Sequence, residues 1–544
     1  MSHAIVASMA LLGAACAAGE PPITASALAG HIQVLASDSF EGRGPSSPGE
    51  EKTVAYLQNA FQQLGLRPGN GDSYFQEVPL VSITADRGMT LAVRGRGRGA
   101  PTTFRFPGDF VAFTNRVQQR VGLTNSELVF VGYGVVAPEV GWNDYEGLDV
   151  RGKTVVMLVN DPDFTTGDTT LFKGRAMTYY GRWTYKYEEA ARQGAAGALV
   201  VHETEPAGYP WEVVTGSWGG ARFGLEAPDN NMSRAAVEGW ITRETAQRIF
   251  RQAGLSYDSL KTLATRRGFR PMPLGLTATA QLRNTIRRSR SKNVIAVLPG
   301  SSRADEYVIY MAHWDHLGRD ATRQGDQIFN GAVDNATGTA GLLELAAAFA
   351  ATSPAPARSV VFLSVTAEEQ GLLGSAYYAR NPVYPLAKTV AAINMDGLNV
   401  DGRMRDITVI GYGNSELDDY LAEAARFQRR VLRPDPEPEK GFYYRSDHFE
   451  LAKVGVPALY ADAGTDHVER GEAYSLEQRN RYTAERYHKP ADEFDPNWDL
   501  TGAIDDLQLL FRVGYRLANE IRFPNWREGT EFKAARDAMM GGAR

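Results

Sequence analysis

Two adjacent glutamates, Glu368 and Glu369, follow an apolar, β-branched segment that is typical of a buried strand. Two carboxylates in a buried site repel each other unless a positive charge lies close to both. An exposed loop between a strand and a helix would carry the same pair at little cost. The pair by itself therefore leaves a functional and a structural interpretation open.

Acidic and imidazole side chains also follow two other apolar segments of the same region. A strand predicted over "EYVIYMAHWDH" leads to His313 and Asp315, and one over "VAAINMDG" leads to Asp396. Open α/β sheets bind their ligands at the carboxyl ends of the strands. Three strands that each end in such groups favour the functional interpretation of the glutamate pair.

Two further segments carry candidate ligands. Asp334 precedes an alanine- and leucine-rich helix, where it could cap the helix or, in a glycine-flanked turn, face a ligand. His488 lies in the loop "RYHKPADEFDP", and three more histidines, His316, His448 and His467, lie in the same part of the chain.

These residue types point to a metal site. Zinc accepts imidazole and carboxylate ligands, and the set contains no thiolate. The donors are too many for one tetrahedral ion that also holds water, and they suit two ions that share a bridging carboxylate. Two divalent ions would also turn the repulsion between the glutamates into net attraction. One glutamate would bind an ion while its neighbour takes a proton from metal-bound water.

The motifs together resemble those of the M28 metallopeptidases, co-catalytic zinc aminopeptidases with glutamate carboxypeptidase and the transferrin receptor as distant relatives. They are H-x-D at 313–315, D-N at 334–335, E-E at 368–369, N-M-D-G at 394–397, R-S-D-H at 445–448 and Y-H at 487–488. The similarity spans roughly residues 293–496. Residues 126–245 are similar to the protease-associated domain that is often inserted in these enzymes.

The resemblance implies two zinc ions per chain and a cis peptide bond after the bridging aspartate. The implied ligands are His313 and Asp396 on one ion, Glu369 and His488 on the other, and Asp334 between the two. His316, in contrast, is expected to be a loop histidine beside the site.

The resemblance also implies roles in catalysis. Glu368 would be the general base, and Asp315 would hold the imidazole of the first ligand histidine. Tyr487 matches one position where family members carry a tyrosine that stabilises the oxyanion. Tyr443 and Tyr444 match the other such position, and each of the three could equally be an ordinary packing residue.

The histidine that shares a zinc ion with Glu369 has three candidates. His448 is predicted in the first turn of a helix, where the helix dipole disfavours an added cation. His467 lies in a polar loop with no strand directly ahead of it. His488 is therefore preferred, with its imidazole within about 5 Å of the Glu369 carboxylate and with a nearby acidic residue, Asp492 or Glu493, on its other ring nitrogen.

The implied activity is hydrolysis of peptide bonds, with release of N-terminal residues from a peptide or protein as the expected direction. An acidic site favours a substrate ammonium group. A carboxypeptidase on the same scaffold is the alternative, for which Arg445 is a candidate to bind a substrate carboxylate. A single-zinc cyclase and a metal-free, receptor-like binding protein would both have lost ligands, and all five are present here.

The order of apolar segments predicts an α/β fold with a mixed β-sheet flanked by helices. The resemblance implies the phosphorylase/hydrolase-like sheet of zinc aminopeptidases and an inserted, mostly-β protease-associated domain that gates the cleft or binds partners. The predicted division is a signal peptide at residues 1–18, the N-terminal part of the peptidase domain at 19–120, the inserted domain at 121–285, the catalytic domain at 286–525 and a C-terminal tail at 526–544.

Composition and the N-terminal residues set the remaining expectations. A chain of 544 residues with a net charge of −6 and no basic run is expected to form two or more domains and to bind no nucleic acid. An apolar run over residues 4–15 predicts a secreted or periplasmic protein, although no Lys or Arg precedes it. Cys16, the only cysteine, suggests a lipoprotein as a variant of this prediction. No apolar run is long enough to predict a transmembrane segment.

Overall fold

The structure is a computed structural model that describes residues 23–542 except 96, 98 and 219. The predicted signal peptide, with Cys16, lies outside the described residues. The strands are β1 (Arg67–Pro68), β2 (Phe75–Ala85), β3 (Thr90–Gly95), β4 (Thr102–Arg105), β5 (Phe110–Phe113), β6 (Arg120–Phe130), β7 (Val136–Ala137), β8 (Trp142–Asn143), β9 (Thr154–Leu158), β10 (Gly197–His202), β11 (Arg222–Leu225), β12 (Val237–Thr242), β13 (Met272–Leu298), β14 (Arg303–His313), β15 (Gly318–Arg319), β16 (Ile328–Phe329), β17 (Arg358–Val365), β18 (Thr389–Asn394), β19 (Asp406–Ile410), β20 (Val431–Pro434) and β21 (Ala458–Asp462).

The α-helices lie before, between and after these strands. They are α1 (Ala25–Leu35), α2 (Pro48–Gln63), α3 (Trp183–Arg192), α4 (Thr204–Ala207), α5 (Trp211–Trp218), α6 (Arg243–Gln252), α7 (Tyr257–Ala264), α8 (Gly338–Ala350), α9 (Leu373–Arg380), α10 (Leu417–Phe427), α11 (His448–Lys453), α12 (Gly471–Glu485), α13 (Thr501–Asn519) and α14 (Lys533–Gly541). Among the described residues, no helix combines the length and the apolar character of a membrane span.

The larger sheet has a parallel centre, and an antiparallel pair joins this centre to the outer strands on each side. Its order is β20–β19–β21–β18–β14–β17–β13–β2–β11, and β14 pairs in parallel with both β17 and β18. Every residue of β17 and β18 is buried, as expected where helices cover both faces of a parallel sheet. Helices α1, α2, α8, α10 and α13 form a core on one face, and α9 and α11 pack on the other. The predicted mixed sheet flanked by helices is confirmed.

A second sheet has the order β4–β3–β13–β6–β9–β10–β12–β5 and its own two cores. It contains strands β3 to β5, which precede the predicted boundary at residue 121. Its central strands are parallel. Helices α3, α6 and α7 pack against the sheet, and their side chains share its cores with those of the strands. This region is therefore an α/β unit in which strands and helices both contribute to the core.

One strand belongs to both sheets. The first half of β13 pairs with β3 and β6, and its second half pairs with β2 and β17. The predicted boundary between residues 285 and 286 lies inside this continuous 27-residue strand. The backbone hydrogen bonds of one strand therefore connect the two units directly.

The predicted C-terminal tail is folded where the structure describes it. Trp526 and Phe532 are buried in the core on the α11 face of the larger sheet. The indole N–H of Trp526 donates to the carbonyl of Gly455, and helix α14 follows. The segment thus contributes to the peptidase core.

Candidate metal centre

Three neighbouring parallel strands bring their carboxyl ends to one edge of the larger sheet. His313 is the last residue of β14, Glu368 and Glu369 follow the end of β17, and Asp396 follows the end of β18. The sequence predicted these three strand ends, and the structure brings them together. Parallel pairing accounts for the proximity, because it places all carboxyl ends on the same side.

A first group of ligand atoms surrounds His313. Its Nε2 lies 3.2 Å from Oδ1 of Asp396 and 3.4 Å from Oδ1 of Asp334. The His313 side chain is 1% exposed, whereas those of Asp334 and Asp396 are 11% and 19% exposed, so the carboxylates lie on the accessible side of the imidazole. One imidazole and two carboxylates within such distances suit a divalent cation.

A second group lies on the other oxygen of the same aspartate. Nε2 of His488 lies 3.1 Å from Oδ2 of Asp334 and 3.0 Å from Oε2 of Glu369. The predicted separation of His488 and Glu369, within about 5 Å, is met. Asp334 thus presents one oxygen to each group, which is the arrangement of a bridging ligand.

His316 lies in this second group, and the expectation of a loop histidine beside the site is wrong. Its ring is fully buried, and Nδ1 lies 2.6 Å from Oε1 of Glu369. Glu369 is therefore held between two imidazoles, one at each oxygen. Nε2 of His316 is buried without a hydrogen-bond partner among the described residues. The spacing H-x-D-H, which places His316 three residues after His313, is the signal that could have revealed it.

A turn over Ala332–Thr337 presents Asp334 to both groups. The peptide bond from Asp334 to Asn335 is cis, as the resemblance implies. The Asn335 amide donates to the carbonyl of Met395, and its Oδ1 accepts the N–H groups of Gly338 and Gly397. Asn335 thus ties the turn to helix α8 and to the segment after β18.

Asp492 supports the same turn from the opposite side. Its carboxylate accepts the N–H groups of Val333 at 3.1 Å and of Asp334 at 3.2 Å. The expectation that Asp492 holds the second ring nitrogen of His488 is therefore wrong. His488 itself adopts a left-handed conformation, with φ of +56°.

Asp315 is buried beneath the glutamate pair. Its carboxylate accepts the N–H groups of Glu368 at 3.0 Å and of Glu369 at 3.4 Å. Nδ1 of His313 lies 3.1 Å from the carbonyl oxygen of Asp315 and 3.8 Å from its carboxylate. Asp315 thus contacts the imidazole through its backbone, and its carboxylate mainly orients the two glutamates.

The charges of the site shift the pKa values of its histidines upwards. Burial by itself lowers the pKa of His313, but Glu368 and Asp396 outweigh it and raise that pKa well above its usual value. Burial likewise lowers the pKa of His488, whereas hydrogen bonds to two carboxylates raise it to about 10. The site therefore attracts positive charge, which protons or metal ions can supply.

The carboxyl groups divide into two classes. Burial opposes ionisation of Asp334 and Glu369, but the imidazoles hold the pKa of Asp334 well below its usual value and that of Glu369 at about 2. Burial raises the pKa of Glu368 well above its usual value and that of Asp315 to about 7. Asp334 and Glu369, both expected as ligands, are therefore ionised, whereas Glu368, expected as the base, retains a proton readily.

The R-S-D-H motif supports the site without joining it. The hydroxyl of Ser446 donates to Oδ2 of Asp396 at 2.6 Å and accepts from the Asn394 amide. Asp447, next in the chain, accepts the hydroxyl of Ser375. The motif thus fixes the orientation of a ligand carboxylate through one serine.

The three candidate tyrosines differ in accessibility. Tyr487 is 45% exposed, and its ring stacks on that of His488 with centroids 3.9 Å apart. The hydroxyl of Tyr444 donates to Glu531, and Tyr443 is buried in the core. Only Tyr487 among the three therefore contacts a residue of the two ligand groups.

The remaining histidines lie outside the two groups. His448 packs between the rings of Tyr443 and Tyr460, where burial lowers its pKa to about 3. Nδ1 of His467 accepts two backbone amides of its own loop. Sequence analysis missed Tyr460, whose hydroxyl donates to the carbonyl of Asp396 at 3.2 Å. Its place in β21, the strand next to β18, is the signal that could have found it.

The donor set fits a pair of zinc ions. Each group supplies at least three ligand atoms within 4.8 Å of one another, and the donors are imidazole nitrogens and carboxylate oxygens. Both are ligands that zinc accepts, and the shared Asp334 suits two ions a few ångströms apart.

Comparison with known proteins gives a family and a fold. The family model described as peptidase family M28 matches residues 293–511. Aminopeptidase NAALADL1 of Mus musculus is 34% identical over 137 residues, which are 24% of this chain and 17% of that protein. The glutamate carboxypeptidase 2 homolog of Caenorhabditis elegans is 34% identical over 203 residues, 36% of this chain and 24% of that protein. The matched part of the chain thus spans less than a quarter of the length of each of these relatives.

The solved structure of an aminopeptidase from Aneurinibacillus sp. strain AM-1 is similar over most of its length. The match covers 92% of this chain and 95% of that one, with a TM-score of 0.50 and 20% sequence identity. At this identity the similarity concerns the fold, and the fold includes both sheets.

Proposed function

We propose that this chain, which belongs to peptidase family M28 over residues 293–511, is a di-zinc exopeptidase that releases N-terminal residues from peptides. One observation carries the proposal: Asp334 offers one oxygen to each of two imidazole–carboxylate groups at the carboxyl ends of parallel strands. The aminopeptidase named among the relatives supports the direction of attack.

The site residues have distinct roles in this proposal. One ion would be held by His313, Asp396 and Asp334, and the other by Asp334, Glu369 and His488. Two bound zinc ions would supply a hydroxide nucleophile at neutral pH and would polarise the peptide carbonyl. His316 holds the Glu369 carboxylate from its second oxygen.

Glu368 moves the proton. Its carboxyl is buried beside the ligands, and its raised pKa suits a group that takes a proton from the attacking water and returns it to the leaving amine. Tyr487 is the accessible tyrosine at the edge of the site, and its hydroxyl would donate to the developing oxyanion.

The proposal extends to the rest of the chain. Residues 121–285, together with strands β3 to β5 of the same sheet, would form the inserted protease-associated domain. The other residues of 19–120 and residues 286–525 would form the peptidase domain. Lys173 donates to Asn414, and the N–H of Met177 donates to the carbonyl of Pro438. These bonds dock the inserted region beside the cleft, where it would gate access. A secreted or periplasmic location follows the predicted signal peptide.

A panel of blocked peptides tests the direction of attack. Purified protein with added zinc is incubated with one peptide in free, N-acetylated and C-amidated forms. The proposal expects cleavage of the free and C-amidated forms and resistance of the N-acetylated form. Rapid release of the C-terminal residue from the N-acetylated peptide would replace the proposal by a carboxypeptidase.

A specific observation favours that second candidate. Arg182 of the inserted region and Arg445 of the peptidase domain repel each other, and burial together with this repulsion lowers the pKa of Arg182 to about 10. The Nε atoms of both are buried without a hydrogen-bond partner among the described residues. Tyr487 lies close enough to influence the pKa of Arg445. Two neighbouring guanidinium groups near Tyr487, each with an Nε that the described residues leave unpaired, suit a substrate carboxylate.

The two candidates are separated by an arginine variant. A carboxypeptidase would lose affinity for its substrate in Arg182→Met, so its KM would rise while zinc content stays unchanged. C-amidation of the substrate would raise KM equally in the wild-type enzyme. An aminopeptidase that acts on long peptides would show neither effect, because its substrate carboxylate lies far from the scissile bond.

A further inference from the structure

Arg43, a buried arginine, lies beneath the metal centre and is not among the proposed ligands or catalytic residues. It is 1% exposed and ends the short 3₁₀ segment Asp38–Arg43, ahead of helix α2. Its backbone is left-handed, with φ of +50°. A buried arginine needs several hydrogen-bond acceptors, because it carries five donors and a charge.

Its donors reach three separate segments of the chain. Nε donates to the carbonyl of Trp314 at 2.9 Å, and Nη2 donates to that of Gly331 at 2.8 Å. Nη1 donates to the carbonyls of Asn330 at 2.6 Å and Leu35 at 2.8 Å. All four acceptors are backbone oxygens, so the guanidinium fixes main-chain positions.

Two of the three segments carry the ligands. Trp314 lies between His313 and Asp315, and Gly331 lies three residues before Asp334. The carbonyl of Arg43 also accepts the N–H of His316 at 3.2 Å. One rigid, planar group therefore sets the distance between the loop after β14 and the turn of the shared aspartate.

The charge of Arg43 acts on the same site. Burial lowers the pKa of Arg43 to about 10, although the nearby carboxylates of Asp492, Asp334, Asp315 and Glu369 raise it. None of the carboxylates in the described residues forms an ion pair with it. Arg43 is thus a permanent cation below a cluster of carboxylates at neutral pH, and it offsets part of their repulsion when no metal is bound.

We propose that Arg43 is a positioning residue that holds the His313 loop and the Asp334 turn at the separation that two zinc ions require, before the ions bind. This inference rests on the proposed function, since it assigns the zinc ligands as above. It makes Arg43 part of the metal centre although it lies 270 positions before His313 in the sequence.

The chain offers a matched control in Arg358. This arginine is 0% exposed, donates to the carbonyls of Leu517, Ile521 and Arg522, and also contacts Glu306. It begins β17, so it lies at the end of the strand opposite to the glutamate pair. Both arginines hold backbone carbonyls together, but only Arg43 does so at the metal centre.

The test compares zinc affinity in Arg43→Lys and Arg358→Lys. Lysine keeps the charge but cannot reach three segments at once. Altered supporting residues typically cost tenfold to a hundredfold in metal affinity, so we expect about that loss in Arg43→Lys. Arg358→Lys should bind zinc like the wild type, while both variants unfold at lower urea concentration. Unchanged zinc affinity in Arg43→Lys, or an equal loss in both variants, would overturn the inference.

A measurement on the wild-type protein keeps the inference testable if Arg43→Lys does not fold. Hydrogen exchange of metal-free protein should show slow exchange in residues 314–316 and 330–334, because Arg43 orders them without zinc. Fast exchange there that becomes slow only with zinc would contradict the inference. A wild-type chain that binds no zinc at all would instead refute the proposed function. The zinc-affinity measurement on the wild type shows that result separately from the exchange data.

Discussion

Two buried clusters of charge follow parallel strands, one in each sheet, and they differ in balance. In the second sheet, the fully buried Lys186 is attracted by Asp144 and Asp161, the latter three residues after β9. Asp161 accepts the backbone N–H and the hydroxyl of Thr178, and the Lys186 ammonium donates to a carbonyl. Burial keeps part of the protons on both carboxyls at neutral pH, so one ammonium balances most of the remaining negative charge. Each of the three groups also has a hydrogen-bond partner.

The metal centre does not balance its charges in the same way. Its ligand carboxylates, its base and the neighbouring acids outnumber the imidazoles and Arg43 beneath them. Buried carboxylates without sufficient cations are costly, and divalent ions remove that cost. The comparison teaches that the balance of a buried cluster, more than its residue types, separates a structural site from a metal site.

The largest effect is expected from the shared aspartate. Asp334→Asn removes the carboxylate that both ions need, so zinc content should fall to near zero and the rate by more than about a thousandfold. The matched change in the balanced cluster, Asp161→Asn, should leave two zinc ions per chain. Metal analysis of both variants checks this. Full zinc content in Asp334→Asn would contradict the distinction between the metal centre and the Lys186 cluster.

A somewhat smaller effect is expected at the glutamate pair. Glu368→Gln should keep both ions and lose about a hundredfold to ten-thousandfold in kcat, because it removes the positioned base. Glu369→Gln should lose zinc, since its carboxylate is held between two imidazoles as a ligand. Metal content and kcat measured together decide the division, and equal zinc loss in both variants would contradict it.

A third effect is expected at the edge of the metal centre. Tyr487→Phe removes one donor to the oxyanion and should lower kcat about tenfold to a hundredfold without changing zinc content. Tyr444→Phe is the control, because its hydroxyl already bonds Glu531. Steady-state kinetics of both should differ in kcat, and a larger loss in Tyr444→Phe would move the oxyanion role there.

The smallest effect on activity, with a clear effect on stability, is expected in the balanced cluster. Lys186→Met leaves two buried carboxylates without their cation and should cost about 3–5 kcal/mol at pH 8. Even beside Lys186, burial raises the pKa of Asp144 to about 7 and that of Asp161 to about 6. Folded Asp144 and Asp161 thus keep protons that the unfolded chain releases, so their contribution to stability falls as pH rises from about 4 to 7.

Removal of the lysine raises the pKa values of Asp144 and Asp161 further, so the fall in stability with rising pH continues to higher pH. The loss of stability in Lys186→Met should therefore be small at pH 5, where the carboxyls are neutral, and large at pH 8. Urea unfolding of variant and wild type at both pH values measures it. A loss that does not depend on pH would show that the cluster is not balanced by charge.

The sequence predicts those parts of the site that strand ends supply. An apolar run followed by His313, by the glutamate pair or by Asp396 is a local pattern, and parallel pairing then brings the three together. His488 has no such local pattern, and its choice depends on the Y-H motif of the family. Its position within reach of Glu369 agrees with that choice.

The parts that were missed depend on backbone geometry. The role of Arg43 arises from carbonyl groups of residues far along the chain, and every residue has a carbonyl, so no pattern marks them. Asp492 or Glu493 was expected to bind a ring nitrogen of His488, but Asp492 accepts the backbone N–H groups of Val333 and Asp334. Every residue except proline has such a group, so no sequence pattern marks this contact. His316 lies at the end of a predicted strand, and Tyr460 lies in β21, the strand next to β18, so their positions could have suggested their contacts.

The zinc content of the wild-type chain tests the central claim most directly. The metal-free protein is titrated with zinc, dialysed and analysed for metal per chain, with the Asp334→Asn variant treated in parallel. The account predicts two tightly bound ions in the wild type and none in the variant, because both ions share one carboxylate. One ion or none in the wild type, or a single ion that survives in Asp334→Asn, would contradict it.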